Sequence, residues 1–181
     1  MRFFLTRQSS GVPIAFFLVY RKFCKRRQLG ESNAPGMLLK AVLERFYPRY
    51  TPNGVVLYVS EVGWKLSGPE LAYIRKLGVE LDEHAKMPNV IIHLPDKEWL
   101  VLIEAVMTHG PIDEKRHTEL KELFKGCTSR LVFVSAFPSR DVAQKLLYSV
   151  SWQTKAWIAD EPCNLIHFNG REGSDALFPA N

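Results

Sequence analysis

Glu104 is the residue that most asks for an explanation. It sits within Trp99-Leu100-Val101-Leu102-Ile103-Glu104-Ala105-Val106, a run so uniformly apolar that it reads as a strand covered on both faces. An ionised carboxylate in such a strand costs several kcal/mol unless something pairs with it. The sequence leaves two readings open. Glu104 is either a partly exposed strand-end residue, or one held by a neighbouring Lys or Arg; or it is a carboxylate kept in place to bind a metal ion. The cysteines supply no competing chemistry. Cys24, Cys127 and Cys163 are odd in number and widely spaced, without a metal-binding or disulfide pattern, so a reducing cytoplasm is the default expectation.

The elements that position Glu104 follow from periodicity. Met87-Pro88-Asn89-Val90-Ile91-Ile92-His93-Leu94 precedes its strand, and Pro95-Asp96-Lys97-Glu98 lies between the two runs, a hairpin signal. Upstream, Leu38, Leu39, Val42, Leu43 and Phe46 recur at helical spacing, and Pro48 should stop that helix. Val55–Val59 is a strand. Ser67-Gly68-Pro69-Glu70 has capping-box spacing and opens a helix with Leu71, Ile74 and Leu77 inward and Gly78 after its end. After His109-Gly110-Pro111, a helix runs from about Ile112 or Asp113 to Lys125, with Leu120, Leu123 and Phe124 as its stripe and Gly126 as its stop. Leu131–Phe137 is another nearly continuous apolar strand. A fourth helix buries Val142, Leu146, Leu147 and Val150, and Ala156–Ala159 and Leu165–Phe168 are two short strands. This order predicts an α/β fold, a mixed central β-sheet flanked by helices on both faces, with right-handed crossovers.

The chain has 181 residues, 46% of them hydrophobic and 12% aromatic, enough for one full core. Its net charge of +5 is concentrated at one end. Arg2, Arg7, Arg21, Lys22, Lys25, Arg26 and Arg27 stand in the first thirty residues with no acid, which leaves a net −2 elsewhere. Residues 1–36 therefore read as an appended or poorly ordered basic segment and residues 37–181 as the folded domain. The apolar run Pro13–Tyr20 is too short to cross a bilayer, and a basic stretch follows it rather than a small-residue cleavage site. No membrane association is expected.

A hairpin with an acid at its entrance and a second acid on the next strand resembles the core of the PD-(D/E)xK nuclease architecture. The segments Pro88–Val106, His109-Gly110-Pro111, Leu131–Pro138, Trp157–Pro162 and His167-Phe168-Asn169-Gly170 together resemble the catalytic region of the BsuBI/PstI type II restriction endonucleases, over roughly residues 37–172. The resemblance implies a restriction-endonuclease-like core and a Mg²⁺-dependent site-specific deoxyribonuclease. It would hydrolyse phosphodiesters of double-stranded DNA at a short palindrome, as a homodimer, within a restriction–modification system. Mg²⁺ fits that chemistry because one or two carboxylates, water and substrate phosphate suffice to hold it.

Three departures qualify what is carried over. Asn89 stands where the family has Asp; its carboxamide still offers an oxygen but no charge. Val106 stands two positions after Glu104, where the motif has Lys. Likeness also ends near residue 172, and no helical DNA-binding region precedes the catalytic part, so the chain reads as a fragment or as a gene that has lost both ends. The resemblance makes Asn89 and Glu104 the metal-binding pair. Lys115 is the cation proposed for the vacant lysine role, with an ordinary exposed helix charge as its competing reading. His109 and Arg116 are candidate DNA contacts, with holding the Gly110-Pro111 turn an equal reading for His109; Thr108 lies beside His109. Asp96 follows a Pro but lies in the hairpin turn, so it is set aside as a ligand. Glu61 reads as a solvent-facing residue, with a third acid near the site as its alternative. His84 and His117 read as surface residues. Trp157, Asp160 and Glu161 read as structural, with a place on the DNA or dimer face equally open for Asp160-Glu161. Trp64, Trp99 and Trp152 read as core or interface residues. The alternative function is a catalytically impaired remnant that binds DNA or self-associates without cleaving.

Overall fold

The computed structural model describes residues 34–60, 66, 68–82, 85–107 and 110–169. Glu61, Trp64, His84, Thr108 and His109 lie outside them, as do most of the basic N-terminal segment and the residues after 169. Six strands form one sheet in the order β1-β2-β3-β4-β5-β6: β1 Val55–Val59, β2 Val90–Leu94, β3 Trp99–Ala105, β4 Arg130–Phe137, β5 Thr154–Ile158 and β6 Leu165–Phe168. Pairing is antiparallel from β1 to β3, parallel from β3 through β5, and antiparallel again to β6. The helices are α1 Ala34–Ala41, α2 Tyr47–Tyr50, α3 Gly68–Lys76, α4 Glu114–Leu123 and α5 Arg140–Leu146. The mixed sheet expected from the element order is the one observed. Among the described residues no helix is long and apolar enough to cross a membrane.

Alternation along each strand divides the core in two. On one face, here the back, Leu38, Leu39, Val42, Leu43 and Phe46 pack over Val90, Ile92, Val101, Ile103, Val134 and Trp157. On the front, Ile74 of α3 and Leu120 of α4, with Phe124 just beyond it, pack over Ile91, Leu100, Leu102 and Phe133. Val106, Phe137, Ala143, Val150 and Ile158 form a third cluster under α5.

Pro48 does not end the first helix. A π-helical turn, Val42–Phe46, joins α1 to α2 with helical backbone on both sides, and Pro48 is accommodated at the second position of α2. Gly78 has φ +84°, and a Cβ there would lie 2.3 Å from the carbonyl oxygen of Gly126. The loops ending α3 and α4 thus touch through two glycines, which is why both helices stop there. His117 is the clearest surprise: it is buried, with its ring edge-on to Phe133 at 4.4 Å between centroids. Its spacing of three to Leu120 and seven to Phe124 puts it on the inward stripe. Trp152, by contrast, is exposed, whereas Trp157 is fully buried.

Candidate active site

The hairpin register decides how the candidate residues meet. Val90 pairs with Ile103 and Ile91 with Leu102, so continuing the ladder sets Asn89 opposite Glu104. Both follow the parity of Ile91 and Leu102, which face the front. Asn89 lies one residue before β2, where the ladder to β3 has run out of backbone acceptors. Its side-chain Oδ1 takes over and accepts the Ala105 N–H at 2.8 Å. Its own carbonyl accepts the Ser60 N–H at 2.6 Å. Asn89 therefore ties the end of β1 to the end of β3.

Glu104 is met from α4. Ser135, opposite Glu104 in β4 and fully buried, accepts the Ile112 N–H at 2.9 Å, and the Ile112 carbonyl accepts Ser151 N–H at 2.9 Å. These two bonds hold the entry to α4. Asp113 then caps the helix, accepting the Arg116 N–H at 2.7 Å. Arg116, one turn in, reaches Glu104 Oε1 with Nε at 2.8 Å and Nη2 at 2.6 Å. Only 13% of the Glu104 side chain and 19% of the Arg116 side chain is exposed. Arg116 Nη2 also donates to the Lys86 carbonyl at 3.0 Å, and Nη1 approaches Glu119 at 3.4 Å. The reading of Glu104 as a strand residue held by an arginine is thus the arrangement seen.

Asn89, Glu104, Lys115 and Arg116 all line one cleft of about 540 Å³, with Lys86, Met87, Gly110, Pro111, Asp113 and Glu119. Four of the five site residues named from the sequence are brought together; the fifth, His109, lies outside the described residues. Asp96 is in the 3-10 turn at the far end of the hairpin. Val106 is 1% exposed and packs in the cluster under α5, so the position of the missing motif lysine is an apolar one. Sequence reasoning missed Asp113 and Glu119 as cleft acids and the partnership of Arg116 with Glu104. The three-residue spacing of Asp113, Arg116 and Glu119 on a helix was the available signal.

The Glu104 carboxylate and the Asn89 carboxamide, opposite each other across the hairpin, offer oxygen donors to the cleft. They suit a hard divalent cation that keeps most of its ligands as water or phosphate. Among the described residues no group of three or more His, Cys, Asp or Glu forms a metal-binding cluster. Asn89 Oδ1 already accepts one N–H and retains a second lone pair. The pair named from the sequence, Asn89 and Glu104, therefore offers one charge to a cation.

Comparison with known proteins bears on the family and the fold. A family model described as the BsuBI/PstI restriction endonuclease domain matches residues 25–171. The chain is 49% identical over 133 residues to the type II restriction enzyme BsuBI of Bacillus subtilis, across 74% of this chain and 42% of that one. It is 32% identical over 142 residues to the type II restriction enzyme AplI of Arthrospira platensis, across 75% of this chain and 44% of that one. The structure of the SdaI restriction endonuclease superposes with a TM-score of 0.72 at 38% identity, covering 79% of this chain and 45% of that one. The chain spans less than half the length of each of these relatives.

Proposed function

The chain belongs to the BsuBI/PstI restriction endonuclease family, and on that premise we propose that it carries the catalytic unit of a type II restriction endonuclease. Its reaction would be divalent-metal-assisted hydrolysis of phosphodiesters in duplex DNA, at a short palindrome, in a restriction–modification system of the cytoplasm. The observation that carries this reading is the convergence of Asn89, Glu104, Lys115 and Arg116 on one cleft.

Glu104 and Asn89 would hold the cation, Mg²⁺ by the chemistry of the donors. A bound Mg²⁺ polarises the phosphate and makes an attacking water more acidic. The chain's own residues do the rest. Asp113, Ser135 and Arg116 fix Glu104 at the cleft edge. Lys115, exposed in the first turn of α4 and lining the cleft, would present an ammonium to the phosphate and offset its charge. His109 adjoins the cleft wall in sequence, next to Gly110, and is assigned a DNA contact. Two copies related by the two-fold axis of a palindrome would cut both strands.

A second reading has its own observation. Asn89 Oδ1 is engaged by Ala105 N–H and Glu104 by Arg116, which describes a frame that stands without metal. On this reading the chain binds DNA or itself and does not cut. Plasmid nicking in Mg²⁺ and in Mn²⁺, by the chain and by Asn89→Asp, separates the two. Nicking by the unaltered chain supports the enzyme. Nicking by Asn89→Asp alone identifies an impaired relative, and no nicking by either removes the catalytic proposal.

A further inference from the structure

Away from the cleft, on the back face, the Arg130 and Lys155 cations gather with the imidazole of His167. Val134 of β4, Lys155 of β5 and His167 of β6 lie in one row across the sheet. Arg130, at the start of β4, shares their face, and Trp99 of β3 is its neighbour. The Lys97 ammonium lies over the Trp99 ring at 4.9 Å. Arg130 and His167 are exposed and Lys155 is half-buried. Among the described residues no carboxylate makes an ion pair with any of the three. Burial, and then the charge of Arg130, push the Lys155 ammonium down from its ordinary range. Burial, and then the charge of Lys155, do the same to the His167 imidazole.

Like charges directly opposite each other on a sheet are destabilising, so Lys155, directly opposite His167, disfavours the charged imidazolium. The cluster lies on the face opposite Glu104: Lys155 is level, through Val134, with Ile103, the neighbour of Glu104, while Arg130 pairs with Trp99, roughly 17 Å along β3 from Glu104. It cannot be part of the cleft.

We propose that Arg130, Lys155 and His167, flanked by Lys97 on Trp99, form a second phosphate-binding surface that takes the backbone of duplex DNA outside the cleft. The proposal rests on the nuclease reading and adds a contact to it. Phosphates supply a counter-charge that no described carboxylate supplies by an ion pair, at a spacing set by three adjacent strands. Contacts of this type position a duplex and carry no sequence information.

The test is duplex binding by fluorescence anisotropy across a salt series, with divalent metal left out, for the chain and for Arg130→Gln/Lys155→Gln. His167 is followed by NMR titration with and without duplex. The double variant should bind about tenfold to a hundredfold more weakly at low salt. Its slope of log affinity against log salt should be shallower by about two, since each phosphate contact contributes about 0.9. Its melting temperature should hold or rise, because a repulsion has been removed. The His167 pKa should rise when duplex binds. If the unaltered chain binds duplex and the double variant matches it in affinity and slope, the surface is not a phosphate site and the cleft reading stands. An unmoved His167 has the same meaning. If the chain binds no duplex at any salt, both proposals fall. An equal His167 shift with inorganic phosphate at matched phosphate concentration marks a simple anion site and overturns the assignment to nucleic acid.

Discussion

Arg116 Nε and Nη2 both donate to a single oxygen of Glu104, Oε1, at 2.8 and 2.6 Å. The arginine is itself held by the Lys86 carbonyl and by Glu119, so the pair is a fixed part of the cleft rather than a surface ion pair. Removing the arginine leaves a carboxylate that is largely withdrawn from water. Arg116→Ala should cost about 2–4 kcal/mol in urea unfolding. A double-mutant cycle with Glu104→Gln should recover a coupling of at least about 1 kcal/mol. A loss below about 0.5 kcal/mol would mean the pair is solvated and not structural.

Asn89 is predicted to matter to stability before it matters to metal. Asn89→Leu removes the acceptor for Ala105 N–H and should cost about 1–3 kcal/mol. Asn89→Asp keeps the acceptor, so its thermal unfolding should stay close to that of the unaltered chain while its divalent-cation affinity rises. A melting temperature equally depressed by both substitutions would show that the carboxamide N–H₂, not Oδ1, is the group that counts.

Restoring the motif literally should fail. Val106→Lys would place an ammonium among Phe137, Ala143, Val150 and Ile158, at a position 1% exposed. The expected cost is roughly 3–5 kcal/mol, read by calorimetry, with no gain in nicking. Gain of activity without loss of stability would show that the strand end can turn this position toward the cleft.

Lys115 is exposed on α4 and lines the cleft. Lys115→Ala should leave the melting temperature within about 1 °C, as surface substitutions usually do. Cleavage in Mg²⁺ should fall by at least about tenfold. Normal cleavage would return Lys115 to the status of a solvated helix charge.

Two buried histidines set the acid limit. Burial lowers the His93 pKa from 6.5; burial and then Lys121 lower that of His117, with Glu114 opposing. Both are therefore neutral in the fold more readily than in the unfolded chain, which takes up protons near 6.5. Stability from this source is fully present above pH 6.5 and falls as pH drops below it, until the folded-state values are passed. Melting temperature should decline between pH 7 and pH 5, and His93→Gln/His117→Gln should flatten that decline. An unchanged pH profile in the double variant would assign the acid sensitivity to other groups, His167 and the carboxylates.

Much of the fold was legible in local pattern. The hairpin around Pro95–Lys97, the doubly covered strands at Val101 and Val134 and the stops at Gly78 and Gly126 are consequences of period, turn chemistry and backbone freedom, which neighbours in sequence decide. Pro48 misled because a π-turn is invisible to a 3.6-residue period. His117 misled because a polar residue on an apolar stripe was given to solvent by type rather than by position. The site divides the same way. A carboxylate in an apolar strand is unusual enough to be noticed at Glu104, and the hairpin register puts Asn89 opposite it. What closes the cleft is set by tertiary structure: Ser135 holds Ile112, this sets the start of α4, and only then does Arg116 arrive at Glu104. Those contacts join residues far apart in the chain, and side-chain types alone do not say which cation reaches a buried acid first. The packing of α4 on the sheet decided that.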